Sequence, residues 1–253
     1  MISIDRPGLG ISTPMPGRTF ADTVDALARF GAARGLSAPA MVGNPQGAPF
    51  VLACAAAGIT GAVAIVSGAD EVAAPCFAQP LPVDLRALVD RVATDPAGAE
   101  TMFARWNPEA MWQMVTMSSP VSDLQIYQDP VFDDTYRRAL VQGFARGSAG
   151  YARDTVLAMS RWPFDLSQIT VRVDLWYGAE DTALSSCLVC SSFRVQQAIA
   201  RSRRSCSEGL FGDLIPHLES DCSFGAVIGG SHPVPVASMK MVYEPVPHLT
   251  GVS

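Results

Sequence analysis

A chain of 253 residues, 49% apolar and 17% charged, is long enough to bury a sizeable core and too apolar to stay disordered. Its net charge of −6 speaks against nucleic acid as a main partner. No run approaches 18 uninterrupted apolar residues, so no membrane span is expected. The start, MISIDRPGLG, lacks the basic flank and apolar stretch of an export signal, which gives a cytoplasmic expectation and reduced cysteines.

In chain order, Ile2 to Ile4 read as a short strand, and RPGLGISTPMPGRT as loop. Thr19 caps a helix from about Phe20 to Gly35, with Val24, Leu27, Ala28 and Phe30 to Ala32 as its inner face. Pro39 to Val42 form a strand, and Ala48 to Ala57 a small-sided buried helix closed by Gly58. AVAIVS, 62–67, is a β-branched run of the type buried on both faces of a parallel sheet. This β-loop-α-β-turn-α-β order predicts an α/β fold with a mostly parallel sheet.

The alternation then stops. Residues 69–165 carry helical patterns broken by prolines and no convincing strand, and the sheet resumes at VRVDLWYG, 171–178. The expected division is a core of 1–68 and 171–253, with a helical cap of 69–170. In that cap Met102, Trp106, Met111, Trp112, Met114 and Met117 serve either as core or as the wall of an apolar pocket. GSAGY, 147–151, joins two cap helices.

Three stretches carry a resemblance. DRPGLGIS, Asp5 to Ser12, is similar to the Asp-Arg-Pro-Gly-x-Gly-x-Ser loop of the α/β-hydrolase family. GNPQG, Gly43 to Gly47, stands where that family has its G-x-S-x-G nucleophile elbow. WPFDLSQITVRVDLWYGAEDTAL resembles the strand and turn that carry the triad acid, which places the acid on Asp181. The resemblance spans roughly residues 1–185. It implies an α/β-hydrolase type of sheet with a cap, and descent from hydrolases of esters in small apolar molecules.

The resemblance also shows what is missing. Position 45, where the nucleophile would sit, is Pro45, which has no hydroxyl and a φ locked near −65°. The N–H of Gln46 would be an oxyanion donor, beside the positive end of helix 48–57. Family members have further strands and an HG-type turn before the position where this chain begins. A sheet without them is expected to lack its first strands and to expose an apolar edge, which a homo-oligomer could cover. His232, in IGGSHPVPV, is the best candidate for the triad base, ahead of His217 and His248. After Leu184 the composition shifts toward serine and cysteine. A tail read in a shifted frame and a divergent but working C terminus both remain open.

The expected activity is therefore an impaired hydrolase. The alternatives are a ligand-binding module, or an acid–base enzyme using Asp181 and His232 without an acyl intermediate. Cys187 and Cys190 form a C-x-x-C pair, but with Cys206 and Cys222 they lack the second half of a zinc motif, so no metal is expected. Arg201, Arg203 and Arg204 read as a solvated helix end. No cofactor is expected. The expected partner is a small apolar molecule, with no nucleic acid and no membrane.

Overall fold

The computed structural model describes residues 1–77, 81–119, 121–176 and 239–242. The chain opens with β1 (Ile2–Ile4), α1 (Phe20–Ala33), β2 (Ala40–Gly43), α2 (Ala48–Ala56) and β3 (Ala62–Val66). Thr19 starts α1 through a reciprocal capping box with Asp22. The chain leaves α1 through Gly35 and Leu36, whose N–H groups return to the carbonyls of Ala32 and Gly31. Phe20, Leu27 and Gly31 of α1 are buried, whereas Ala32, expected on the inner face, is exposed.

Helix α2 is apolar all round, and every residue from Ala48 to Ala55 is buried, as a helix without a polar face requires. Strands β2, β3 and β4 (Arg172–Trp176) pair in parallel, with Ala40 opposite Ala62 and Ala62 opposite Arg172. In β3, Val63 and Ile65 are 2% exposed, while Ala62, Ala64 and Val66 are half-buried. The strand is therefore sealed on one face, not equally on both as its composition suggests. The sealed face packs on Phe50, Val51, Cys54 and Phe20.

The sheet order is β1-β5-β2-β3-β4. Strand β5 (Met239–Val242) was not visible in the sequence. It runs antiparallel to both β1 and β2, with Met241 opposite Ile2 on one side and Met41 on the other. The edge of β2 that the sequence left open is thus paired. Four residues give a period of two too little length to register.

Between β3 and β4 lie α3 (Val83–Thr94), α4 (Pro96–Phe103), α5 (Pro108–Ser118), α6 (Val121–Tyr127), α7 (Pro130–Gly143) and α8 (Ala149–Met159). No strand occurs among the described residues there. Met111 is fully buried. Trp112 packs on Tyr127 and Tyr136, with the Arg137 guanidinium 4.1 Å from its ring centroid. Met117 is 86% exposed. Met111 therefore belongs to an aromatic core, Met102 packs beside Val92 and Phe103, and Met117 lies at the surface. Helix α8 joins the two parts of the molecule: Ala152 and Val156 pack on α3 and α4, and Leu157 packs in the sheet core. No described helix is long and apolar enough to cross a membrane.

Burial also sets a pH response. It pushes the Cys54 thiol from 9.0 up to about 12, and the Tyr127 phenol from 10.0 up to about 12, helped by Asp123. Burial likewise raises Tyr136 and Tyr151. Such groups stay neutral in the fold but ionise in the unfolded chain. Their stabilisation is complete below pH 9 and is lost as pH rises toward 12. Urea midpoints measured from pH 7 to 11 should hold up to about pH 9 and then fall, more steeply above 10. Cys54→Ala should flatten only the first part of that fall.

Candidate functional site

The candidate site lies at the carboxyl end of β2. Asn44 is extended (φ −149°, ψ 147°), and the chain then enters a single 3-10 turn, Pro45–Gly47, that runs directly into α2. Residue 45 therefore occupies a strand-to-helix junction. Pro45 suits the first position of the turn, where no N–H is needed. It is not among the residues with positive φ, so the strained tip of a nucleophile elbow is relaxed here. Its carbonyl accepts from Ala48 N–H and from Ala69 N–H at 3.0 Å. Strand and helix approach closely: a Cβ on Gly43 would lie 2.8 Å from the Ala48 Cα.

Gln46 follows. At the start of a helical segment its N–H has no carbonyl one turn back to receive it. Its side chain is fixed: Nε2 donates to Thr155 Oγ1 at 2.7 Å, and Thr155 Oγ1 donates to the Tyr151 carbonyl at 2.9 Å. Gln46 Oε1 is buried with no hydrogen-bond partner among the described residues. Pro45 and Gln46 are themselves half-buried, so the turn is reachable from outside.

The residue before Thr155 explains the first motif. Asp154 is fully buried and sits between two arginines that are each 2% exposed. Arg6 Nε donates to its Oδ2 at 2.7 Å, and Arg18 Nη2 donates to its Oδ1. Arg18 Nη2 also donates to the Gly150 carbonyl at 3.2 Å. Burial lowers the Arg18 pKa below its ordinary value, against the raising pull of Asp154. The Arg6 guanidinium lies 4.7 Å from the Phe50 ring centroid in α2. Arg6 thus touches α2 through that ring. The carboxylate partner comes from α8, and Asp154 was not singled out in the sequence. An aspartate next to Arg153 in the helical stretch SAGYARDTVLAMSRW looks like a surface residue until its two buried arginines are known.

The same loop docks by close backbone approach. A Cβ on Gly150 would stand 2.4 Å from both the carbonyl carbon and the oxygen of Gly8. GSAGY therefore joins α7 to α8 as expected and is also a contact surface. Gly150→Ala should cost about 2–3 kcal/mol by overpacking, read as a lower urea midpoint with an unchanged slope.

The structure brings Gln46 to α8 through Thr155, and the Asp5–Ser12 loop to α8 through Arg6 and Gly8. Asp181 and His232 lie outside the described residues, as do His217, His248, Cys187, Cys190, Cys206, Cys222 and Arg201 to Arg204. Asp165 caps the short turn after it, and hydrogen bonds from Ser167 lower its pKa. Asp174 pairs with Arg172 at 2.9 Å. Among the described residues no group of three or more His, Cys, Asp or Glu is gathered as a metal-ligand set. Sequence reasoning missed Ser67, which is buried with φ +44° at the end of β3, next to the turn. Its N–H donates to the Trp176 carbonyl at 2.8 Å. A serine in the left-handed region leaves no mark that a sequence shows.

Fold and site together define an α/β protein with a strand–turn–helix junction at the carboxyl end of a central parallel strand, beside α8. No known family profile matches the chain, and no curated protein sequence does. Solved structures are similar at low identity. A bromoperoxidase from Bacillus anthracis shares 15% identity over 75% of this chain and 68% of its own, with a TM-score of 0.49. A thermophilic esterase from Thermogutta terrifontis shares 17% over 74% and 64%, with a TM-score of 0.48. An α/β-hydrolase fold protein from Nakamurella multipartita shares 19% over 74% and 68%, with a TM-score of 0.46. The chain thus spans about two thirds of the length of these proteins, and 64% of the Thermogutta esterase.

Proposed function

We infer that this chain is an α/β-hydrolase-fold protein related to hydrolases of small-molecule esters, with its acyl-transfer chemistry impaired at residue 45. One observation carries the reading: Pro45 occupies the junction between β2 and α2, with Gly43 packed against Ala48 behind it. A nucleophile there would stand at the N-terminus of α2, beside the Gln46 N–H. Both favour developing negative charge on a substrate oxygen. In this reading Asp181 orients His232, and His232 would act as base toward residue 45. With proline at 45 there is no proton to remove and no atom to acylate. Removing a triad nucleophile costs on the order of 10⁶ in kcat in a serine protease.

The test is a fluorophosphonate probe and an ester panel applied to the wild-type chain and to Pro45→Ser. The wild type should neither label nor turn over. Labelling of the wild-type chain at any serine would overturn the assignment of residue 45 as the lost nucleophile.

A further inference from the structure

Two arginines and one carboxylate share a site closed to bulk solvent. The side chains of Arg6 and Arg18 are 1% and 2% exposed, and that of Asp154 is 0% exposed. A guanidinium stays charged in proteins, so the cluster holds one positive charge more than Asp154 can meet. Burying such an excess is costly unless a further charge pairs with it.

The neighbouring acids are engaged elsewhere. The charged groups that act on Arg18 are Asp154, which favours its cationic form, and Arg6 and Arg153, which oppose it. Glu100 pairs with Arg153 at 3.2 Å. Asp5, next to Arg6 in sequence, is exposed, and its carboxylate lies against Gly10.

The excess charge also has a direction. Arg6 gives its Nε to Asp154 Oδ2 at 2.7 Å, and the Phe50 ring lies 4.7 Å from its guanidinium carbon. Its terminal edge, Nη1 and Nη2, is buried and has no hydrogen-bond partner among the described residues. Arg18 Nε is buried and unpartnered in the same way. The Nη1–Nη2 edge presents parallel N–H bonds, a fork suited to holding one anion from two sides. A water molecule could accept one of these bonds but would leave the charge unmet.

We propose that the Nη1–Nη2 edge of Arg6 binds a small monovalent anion, of the class of chloride, nitrate or formate, that balances the charge of the Arg6–Asp154–Arg18 cluster. The excess of one charge sets the valence, and the burial of the donor atoms sets the size. The site is built from the loop after β1, Phe50 of α2 and Asp154 of α8, and it does not depend on any chemistry at residue 45.

The test is urea unfolding at a constant ionic strength of about 0.15 M, with sodium gluconate replaced stepwise by sodium chloride. Gluconate is too bulky for a closed site. An anion held only by the folded chain adds stability as its concentration passes its dissociation constant. The wild-type midpoint should therefore rise along a saturating curve, with the folded-to-unfolded ratio gaining on the order of tenfold. Nitrate and formate should act in the same way. Arg6→Met leaves Arg18 and Asp154 as a neutral pair, so its midpoint should not follow the exchange. If that variant does not fold, Arg18→Met neutralises the cluster from the other side and should show the same loss. A wild-type midpoint that ignores chloride would overturn the site, and so would a rise of equal size in the neutral variant. Should neither variant fold, glucuronate in place of gluconate decides: no shift is expected, and a shift as large as that of chloride would rule out a closed site for small anions.

Discussion

Asp154→Ala should destabilise the fold by about 3–5 kcal/mol, the usual cost of removing one partner from a buried ion pair. The figure belongs at the upper end here because one carboxylate serves two cations. Arg6 and Arg18 are each 2% exposed, and Asp154 supplies the carboxylate that both grip. Arg6 Nη1 and Nη2 and Arg18 Nε are buried without partners among the described residues, so the cluster has nothing in reserve. Without the carboxylate, two guanidinium groups would face each other in an apolar setting, or the Asp5–Ser12 loop would lift from α8. Urea unfolding measures the loss. Limited proteolysis within residues 6–18 tells the two outcomes apart, since only a lifted loop is cut faster than the chain unfolds. A triple replacement, Arg6→Met, Arg18→Met and Asp154→Leu, gives the contrast. Filling the same volume with apolar groups should recover most of the loss. If the single and triple variants fall equally, the contribution of Asp154 is packing and not charge.

The same cluster shows how far the sequence could be read. Motif and partner were separated by about 140 residues. DRPGLGIS could be recognised as a loop with a purpose, but nothing local indicates that Arg6 reaches α8 or that Gly8 touches Gly150. Elements governed by local rules were legible: Thr19 and Asp22 announce the start of α1, Gly35 its end, and the small apolar run from Ala48 its burial. Strand β5 was not legible, because its pairing is set by two strands near the other end of the chain. Its own four residues carry little pattern. At the site, the spacing of Gly43, Pro45 and Gly47 between a strand and a helix was enough to place the junction. The relaxed turn follows from the proline ring. The left-handed Ser67 beside it follows from the chain's path, which no window of sequence contains.

Pro45→Ser should produce the largest change in activity of any single substitution. The substitution releases φ, so the turn can take up the strained conformation of a nucleophile elbow, at a cost of about 1–3 kcal/mol. It also removes the stabilisation that proline gives at a compatible helix start, about 0.4–1 kcal/mol. A measurable drop in the urea midpoint should therefore accompany any gain in chemistry. The new hydroxyl would stand beside the Gln46 N–H, with α2 behind it. Its recovery is bounded above by the roughly 10⁶ that a triad nucleophile contributes. Each oxyanion donor out of place takes back 10²–10³. Ester turnover should thus rise by on the order of 10³–10⁶ over the wild type, with covalent fluorophosphonate labelling at residue 45. His232→Ala in the Pro45→Ser chain should return it to the wild-type level, since an unactivated serine hydroxyl is a weak nucleophile. Gly43→Ala should do the same by a different route. Its Cβ would push on the Ala48 backbone and move the start of α2 away from the reacting oxygen. A Pro45→Ser chain that folds, keeps the Gln46–Thr155 contact and still neither labels nor turns over would show that the junction has the shape of an elbow without the acid–base partners that give an elbow its chemistry.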